Sequence, residues 1–128
     1  MMGANEMMRL TKIDPDFSVC KIRDITRVDF SRDFVFVFKT DEEISLVCES
    51  GHVPENPVAV EAGWKAFRIG GILDFGLIGV IAGITGLLAE AEIGVFVIST
   101  YNTDYLFLKA ADFDRGIVLL GRHGYTIC

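Results

Sequence analysis

Histidine and cysteine are scarce in this chain, and basic residues are missing from a long stretch of it. Two histidines, His52 and His123, stand in 128 residues. Neither stands in a pattern from which a catalytic triad or a zinc site is readily assembled. The three cysteines, Cys20, Cys48 and Cys128, are odd in number, and their spacing fits no zinc pattern. Cys20 and Cys48 stand in apolar, strand-like runs, where a reduced, buried thiol is the expectation. No Lys or Arg lies between Arg68 and Lys109, and the formal net charge is −6. That balance excludes sequence-independent nucleic-acid binding, which needs clustered cations. It also makes phosphate-rich ligands and anionic membranes poor partners for the second half.

Long hydrophobic runs are missing too. The uncharged run Phe75–Ala89 has about 15 residues, against the roughly 20 that a helix needs to cross a bilayer. It is expected as a buried helix. Met1–Arg9 lacks the continuous apolar centre of a signal peptide, so a cytoplasmic protein with a frayed leader over residues 1–15 is expected. No GxGxxG or Walker pattern follows a strand, although Gly70-Gly71 and Gly76-x-x-Gly79 are glycine-rich.

About half of the residues are hydrophobic, enough for one domain or two small lobes sharing a core. Ser18–Ile22, Phe34–Phe38 and Ile44–Cys48 read as strands, the last two joined by a short polar connection that signals a hairpin. Arg23–Arg32 has room for a turn or two of helix. The breaker cluster His52-Val53-Pro54-Glu55-Asn56-Pro57 reads as a connection between lobes. Trp64–Ile69 follows as a strand.

Ile78–Glu92 is the strongest helix. At about 100° per residue, Val80, Ile81, Ile84, Leu87, Leu88 and Ala91 gather on one side. Gly76, Gly79, Gly83 and Gly86 fall within roughly 80° on the other. Glycine costs about 1 kcal/mol relative to alanine inside a helix. Such a stripe points to close helix packing or to a ligand. Gly94–Leu108 is a second hairpin, Asp112–Arg122 a second helix with Asp112 as N-cap, and Tyr125–Ile127 a closing strand. From Trp64 onward the order is therefore βαββαβ.

A repeat links the two hairpins. Phe34-Val35-Phe36-Val37-Phe38-Lys39-Thr40 lies over Gly94-Val95-Phe96-Val97-Ile98-Ser99-Thr100. Both copies continue through an acidic residue into another apolar strand. Two related lobes follow, with the first one degenerate. The second hairpin carries Ser99, Thr100, Tyr101, Asn102, Thr103 and Asp104. A carboxylate beside those polar groups can take an ammonium or guanidinium group, or serve the turn itself. Asp41, Glu42 and Glu43 in the first hairpin read as a solvated turn or as acid/base groups. N–H groups at the start of the Ile78 helix can hold a carboxylate. A free amino acid has both required poles.

The stretches Thr40–Val47, Trp64-Lys65-Ala66-Phe67, Gly79–Ile84 and Ile98–Tyr105 resemble those of small bacterial tandem ACT-domain proteins. The resemblance implies an α+β fold of tandem ferredoxin-like ACT domains (βαββαβ), the first lobe degenerate, with helices packed on one face of an antiparallel sheet. The implied boundaries are 16–62 and 63–128. It also implies kinship with the ACT domains of cytosolic arginine sensors, and a ligand held at the interface between lobes. Carried over by position, the ligand contacts are Leu77, Ile78 and Gly79, then Ser99, Thr100, Tyr101, Asn102, Thr103 and Asp104. Glu43 and Ser45 come from the degenerate lobe. The function implied is a non-enzymatic amino-acid sensor, with no cofactor, metal, nucleic acid or membrane, and a homodimer as its assembly. A structural module that dimerises through its sheets or the glycine-rich helix is the rival expectation. A small-molecule enzyme using Glu43 or Asp104 as base ranks last, because no nucleophile–base pair is visible. These 128 residues leave no room for an attached enzyme. A stand-alone sensor, or one acting through another chain, is expected.

Overall fold

The computed structural model describes residues 8–71 and 79–128. Two long strands, β1 (Met8–Ile22) and β4 (Ala59–Gly71), each contribute to both of two compact units. The smaller unit is Pro15–Trp64; the larger comprises residues 8–14 and Lys65–Cys128. The leader expected over residues 1–15 is strand from Met8 onward, and residues 1–7 lie outside the described residues. The reason is local alternation: Met8 and Leu10 turn inward and are buried, while Arg9 between them is exposed.

The smaller unit adds the hairpin β2 (Phe36–Lys39) and β3 (Ile44–Glu49). Its strand order is β2-β3-β1-β4, with Val58 N–H donating to the Lys21 carbonyl at 2.8 Å. The turn or two of helix expected over Arg23–Arg32 is not formed; the segment is turns and bends. Asp24 and Asp29 cap its turns, accepting from the backbone N–H groups of Thr26 and Ser31. After β3 comes a single 3₁₀ turn, Ser50–His52. Cys20, Ile22, Leu46 and Cys48 form the core, with Val28, Val35 and Val53 packed on it.

The larger unit carries α1 (Val80–Glu90), β5 (Val95–Ser99), β6 (Asp104–Lys109), α2 (Ala110–Arg122) and β7 (Thr126–Ile127). Its order is β5-β6-β4-β1, and β7 pairs parallel with β1 through Arg9↔Thr126 and Leu10↔Ile127. Both helices share one core with Met8, Leu10, Phe67, Ile69, Leu106 and Leu108. Those strand residues alternate, so the helices cover one face of the strands.

Helix α1 begins at Gly79, whose φ of +91° suits a residue without Cβ. It buries Ile84 and Leu88 fully. Helix α2 is capped by Lys109, not by Asp112, which lies in the first turn. Asp112 there pairs with Arg115 at 3.3 Å. Arg115 also donates to the Ala91 carbonyl at 2.8 Å, at the C-terminal end of α1, where a cation suits the helix dipole. Gly124, at φ +96°, ends α2, and Tyr125 N–H returns to the Leu120 carbonyl.

The repeat extends to register. β2 and β3 pair Phe36↔Val47, Val37↔Leu46, Phe38↔Ser45 and Lys39↔Ile44. Adding 60 to every number gives Phe96↔Phe107, Val97↔Leu106, Ile98↔Tyr105 and Ser99↔Asp104, the pairs of β5 and β6. Even the residues that follow match: Glu49 has φ −57° and ψ 138°, Lys109 φ −57° and ψ 139°. After Lys109 the chain runs into α2; after Glu49 it makes only the 3₁₀ turn before the proline-rich connection. Pro54 and Pro57 lack the N–H groups that a helix there would need.

Candidate functional site: the polar turn of the β5–β6 hairpin

β5 and β6 put a four-residue turn, Thr100–Thr103, between Ser99 and Asp104. Thr100 N–H donates to the Thr103 carbonyl at 2.8 Å. Thr100 Oγ1 donates to the same carbonyl at 3.0 Å and accepts from Thr103 N–H at 3.3 Å. Thr103 Oγ1 in turn donates to the Ile69 carbonyl near the end of β4. The two threonine hydroxyls are thus spent on shaping the turn and fixing it to β4. Ser99 Oγ donates to Asp104 Oδ1 at 2.5 Å. An ionised carboxylate has about four acceptor positions, so Asp104, half-buried, keeps capacity for a cationic group. Tyr101 is fully exposed and Asn102 exposed at the tip.

The sequence left Asp104 open between ligand contact and turn chemistry. The geometry divides the roles: Thr100 and Thr103 make the turn, and Asp104 pairs with Ser99 beside it. Of the other expected contacts, Gly79 is exposed at the start of α1, while Leu77 and Ile78 lie outside the described residues. Gly76 of the glycine stripe lies outside them as well.

Glu43 and Ser45 belong to the smaller unit. There Thr40 repeats the role of Thr100: its N–H donates to the Glu43 carbonyl at 2.9 Å, and its Oγ1 accepts from Glu43 N–H at 3.2 Å. Ser45 Oγ donates to Glu43 Oε1 at 2.6 Å. Asp41, Glu42 and Glu43 are all exposed, the setting of a solvated turn.

Cys20 and Cys48 are free and buried. Burial pushes the Cys48 thiol up to about 11 and raises Cys20 as well, so both stay protonated at neutral pH. A protonated thiol is neither nucleophile nor metal ligand. Among the described residues no group of three His, Cys, Asp or Glu side chains could hold a metal ion, and no helix is long and apolar enough to cross a membrane. The contacts that sequence reasoning missed, Thr103 to Ile69 and Arg115 to Ala91, join residues far apart in the chain and leave no local signal.

The family model of the ACT domain matches residues 59–121, which hold this hairpin and both helices. Residues 59–121 form an ACT domain. Its fold is the α+β, ferredoxin-like ACT fold. A protein from Agobacterium tumefaciens is 25% identical, with a TM-score of 0.85 over 94% of this chain and 92% of that one. A Vibrio cholerae protein of unknown function is 19% identical, with a TM-score of 0.75 over 93% and 91%. The aspartate kinase of Clostridium acetobutylicum, an allosteric enzyme, is 14% identical, with a TM-score of 0.63 over 93% of this chain and 34% of the kinase. The last two likenesses concern the fold alone. No curated protein matches the chain.

Proposed function

We propose that this protein is a non-enzymatic sensor that binds a free amino acid. ACT domains are regulatory ligand-binding domains. The observation that carries the reading is the Ser99–Asp104 turn, held to the Ile69 carbonyl by Thr103, with a carboxylate at its base and polar groups at its tip. The ammonium of the ligand meets Asp104, and its carboxylate meets the backbone N–H groups at the start of α1, near Gly79. Glu43 and Ser45 supply the corresponding carboxylate and hydroxyl on the smaller unit. The three free cysteines fit a reducing, cytoplasmic setting.

Titration calorimetry of the full chain against the twenty amino acids tests this. At least one is expected to bind. Asp104→Ala is expected to weaken it by about tenfold or more, a loss of at least about 1.4 kcal/mol. Glu92→Ala, on an exposed residue after α1, leaves affinity unchanged. Silence from all twenty would sink the proposal.

A homodimer built on α1 is the second reading, favoured by one observation. The outward positions Gly79, Ala82, Gly83, Gly86 and Ala89 are small, uncharged and exposed, and Glu90 at the helix end is the one exposed charge on that face, whereas a solvated helix face ordinarily carries more charge. A Cβ built on Gly86 meets nothing within 4 Å. In a monomer Gly86→Ala therefore stabilises by about 0.4–1 kcal/mol, read as a rise in the urea midpoint. We expect that gain. A loss of dimer mass in light scattering on the same substitution would favour the second reading.

A further inference from the structure

The smaller unit has turns where the larger has helices, and the exchange leaves a cavity. Its volume is about 260 Å³, and it is lined by Arg23, Asp24, Thr26 and Arg27 after β1 and by Pro54, Glu55 and Asn56 in the proline-rich connection. Ile22 closes it towards the core. At about 30 Å³ per water, that is space for roughly nine waters, the size of a small metabolite and not of a nucleotide.

The charges around it are unevenly committed. Asp24 Oδ1 already accepts from Thr26 N–H at 2.9 Å and Thr26 Oγ1 at 2.5 Å. Arg27 faces Glu55 at 3.6 Å, but the two side chains are 68% and 84% exposed. So open an ion pair contributes little and is readily exchanged. Arg23, one helical turn's spacing before Arg27 in sequence, has no ion-pair or hydrogen-bond partner among the described residues. Two guanidinium groups thus share one cavity with two carboxylates, Asp24, tied to Thr26, and Glu55, only loosely held by Arg27. A planar guanidinium suits an oxyanion, which it can grip through two parallel N–H bonds.

We propose that this cavity is a binding site for a small metabolite bearing an oxyanion, held between Arg23 and Arg27, with Asn56 supplying an amide at the rim. The site lies wholly within the smaller unit and is independent of the amino-acid reading. Binding detaches Arg27 from Glu55, so it is coupled to the position of the 54–56 segment.

The test is a titration of the full chain with inorganic phosphate and, separately, with succinate, followed by amide chemical shifts in NMR. Saturable shifts are expected at Arg23, Thr26, Arg27 and Asn56, and the tighter of the two probes tells a phosphate ligand from a carboxylate. Arg23→Gln and Arg27→Gln are each expected to weaken binding by about tenfold or more. Arg122→Gln, on α2, is expected to leave it unchanged. These side chains are exposed, so the variants fold. Dissociation constants above about 10 mM for both probes, or binding that survives both substitutions, overturns the proposal.

Discussion

Phe67→Ala is expected to cost about 3–5 kcal/mol of unfolding free energy. The whole stability of a domain of this size is about 5–15 kcal/mol, so this single change removes a large share of it. Phe67 is 0% exposed in the middle of β4. Its ring lies 6.4 Å from that of Phe113 on α2, and it belongs to the cluster that includes Leu10, Ile84, Leu88 and Leu106. Truncation removes contacts to strands and helices at once, and a close-packed interior relaxes only partly into the void. Urea unfolding checks it: the midpoint falls, while the slope, which tracks exposed area, stays the same. Val118→Ala, at a half-exposed position of α2, is the control and stays within about 0.5 kcal/mol. A loss for Phe67→Ala no larger than the control's would contradict the assigned core.

Local chemistry was legible in the sequence; distant chemistry was not. The hairpin repeat was readable because strand alternation and turn residues act over a few positions, and Phe34–Thr40 and Gly94–Thr100 carry both. The register then repeats with the same offset of 60. The Ser99–Asp104 pair spans five residues and was within reach of inspection. Thr103 to Ile69 spans 34 residues and was not. Helix α1 was expected from Ile78 and begins at Val80, since Gly79 takes the left-handed conformation. Helix α2 was expected to start at Asp112 and starts at Ala110, because the strand-to-helix step at Lys109 needs only a change of ψ and no side-chain cap. Strand β1 was expected from Ser18 and starts at Met8. Pro15 lies in it, a residue that reads as a break in a central strand, and the Met-rich stretch before it hid the alternation of Met8, Arg9 and Leu10.

Glycine was the most misleading signal, and it leads to the second large effect. The α1 stripe drew attention as a place of close approach. Yet a Cβ at Gly86 or Gly79 meets nothing within 4 Å, and at Gly83 it meets only the Tyr125 hydroxyl, at 3.3 Å. The close approach is at Gly116 in α2. A Cβ there falls 2.7 Å from Leu108 Cδ2 and 3.4 Å from Leu88 Cδ2, with Ile93 Cδ1 at 3.8 Å. All three neighbours are buried, Leu88 and Leu108 wholly, so they have no solvent to swing into. Alanine at Gly116 is a mixed case, since a gain of about 1 kcal/mol in helix propensity offsets part of the crowding. Valine is decisive. Its two further methyl groups enter the same space, and its β-branch restricts χ1 in a helix. Gly116→Val is therefore expected to destabilise by about 1–3 kcal/mol through overpacking, with a lower thermal midpoint and α2 the first element to lose amide-exchange protection. A Gly116→Val chain as stable as the parent would mean that α2 does not lie as close to β6 and α1 as the 2.7 Å approach requires.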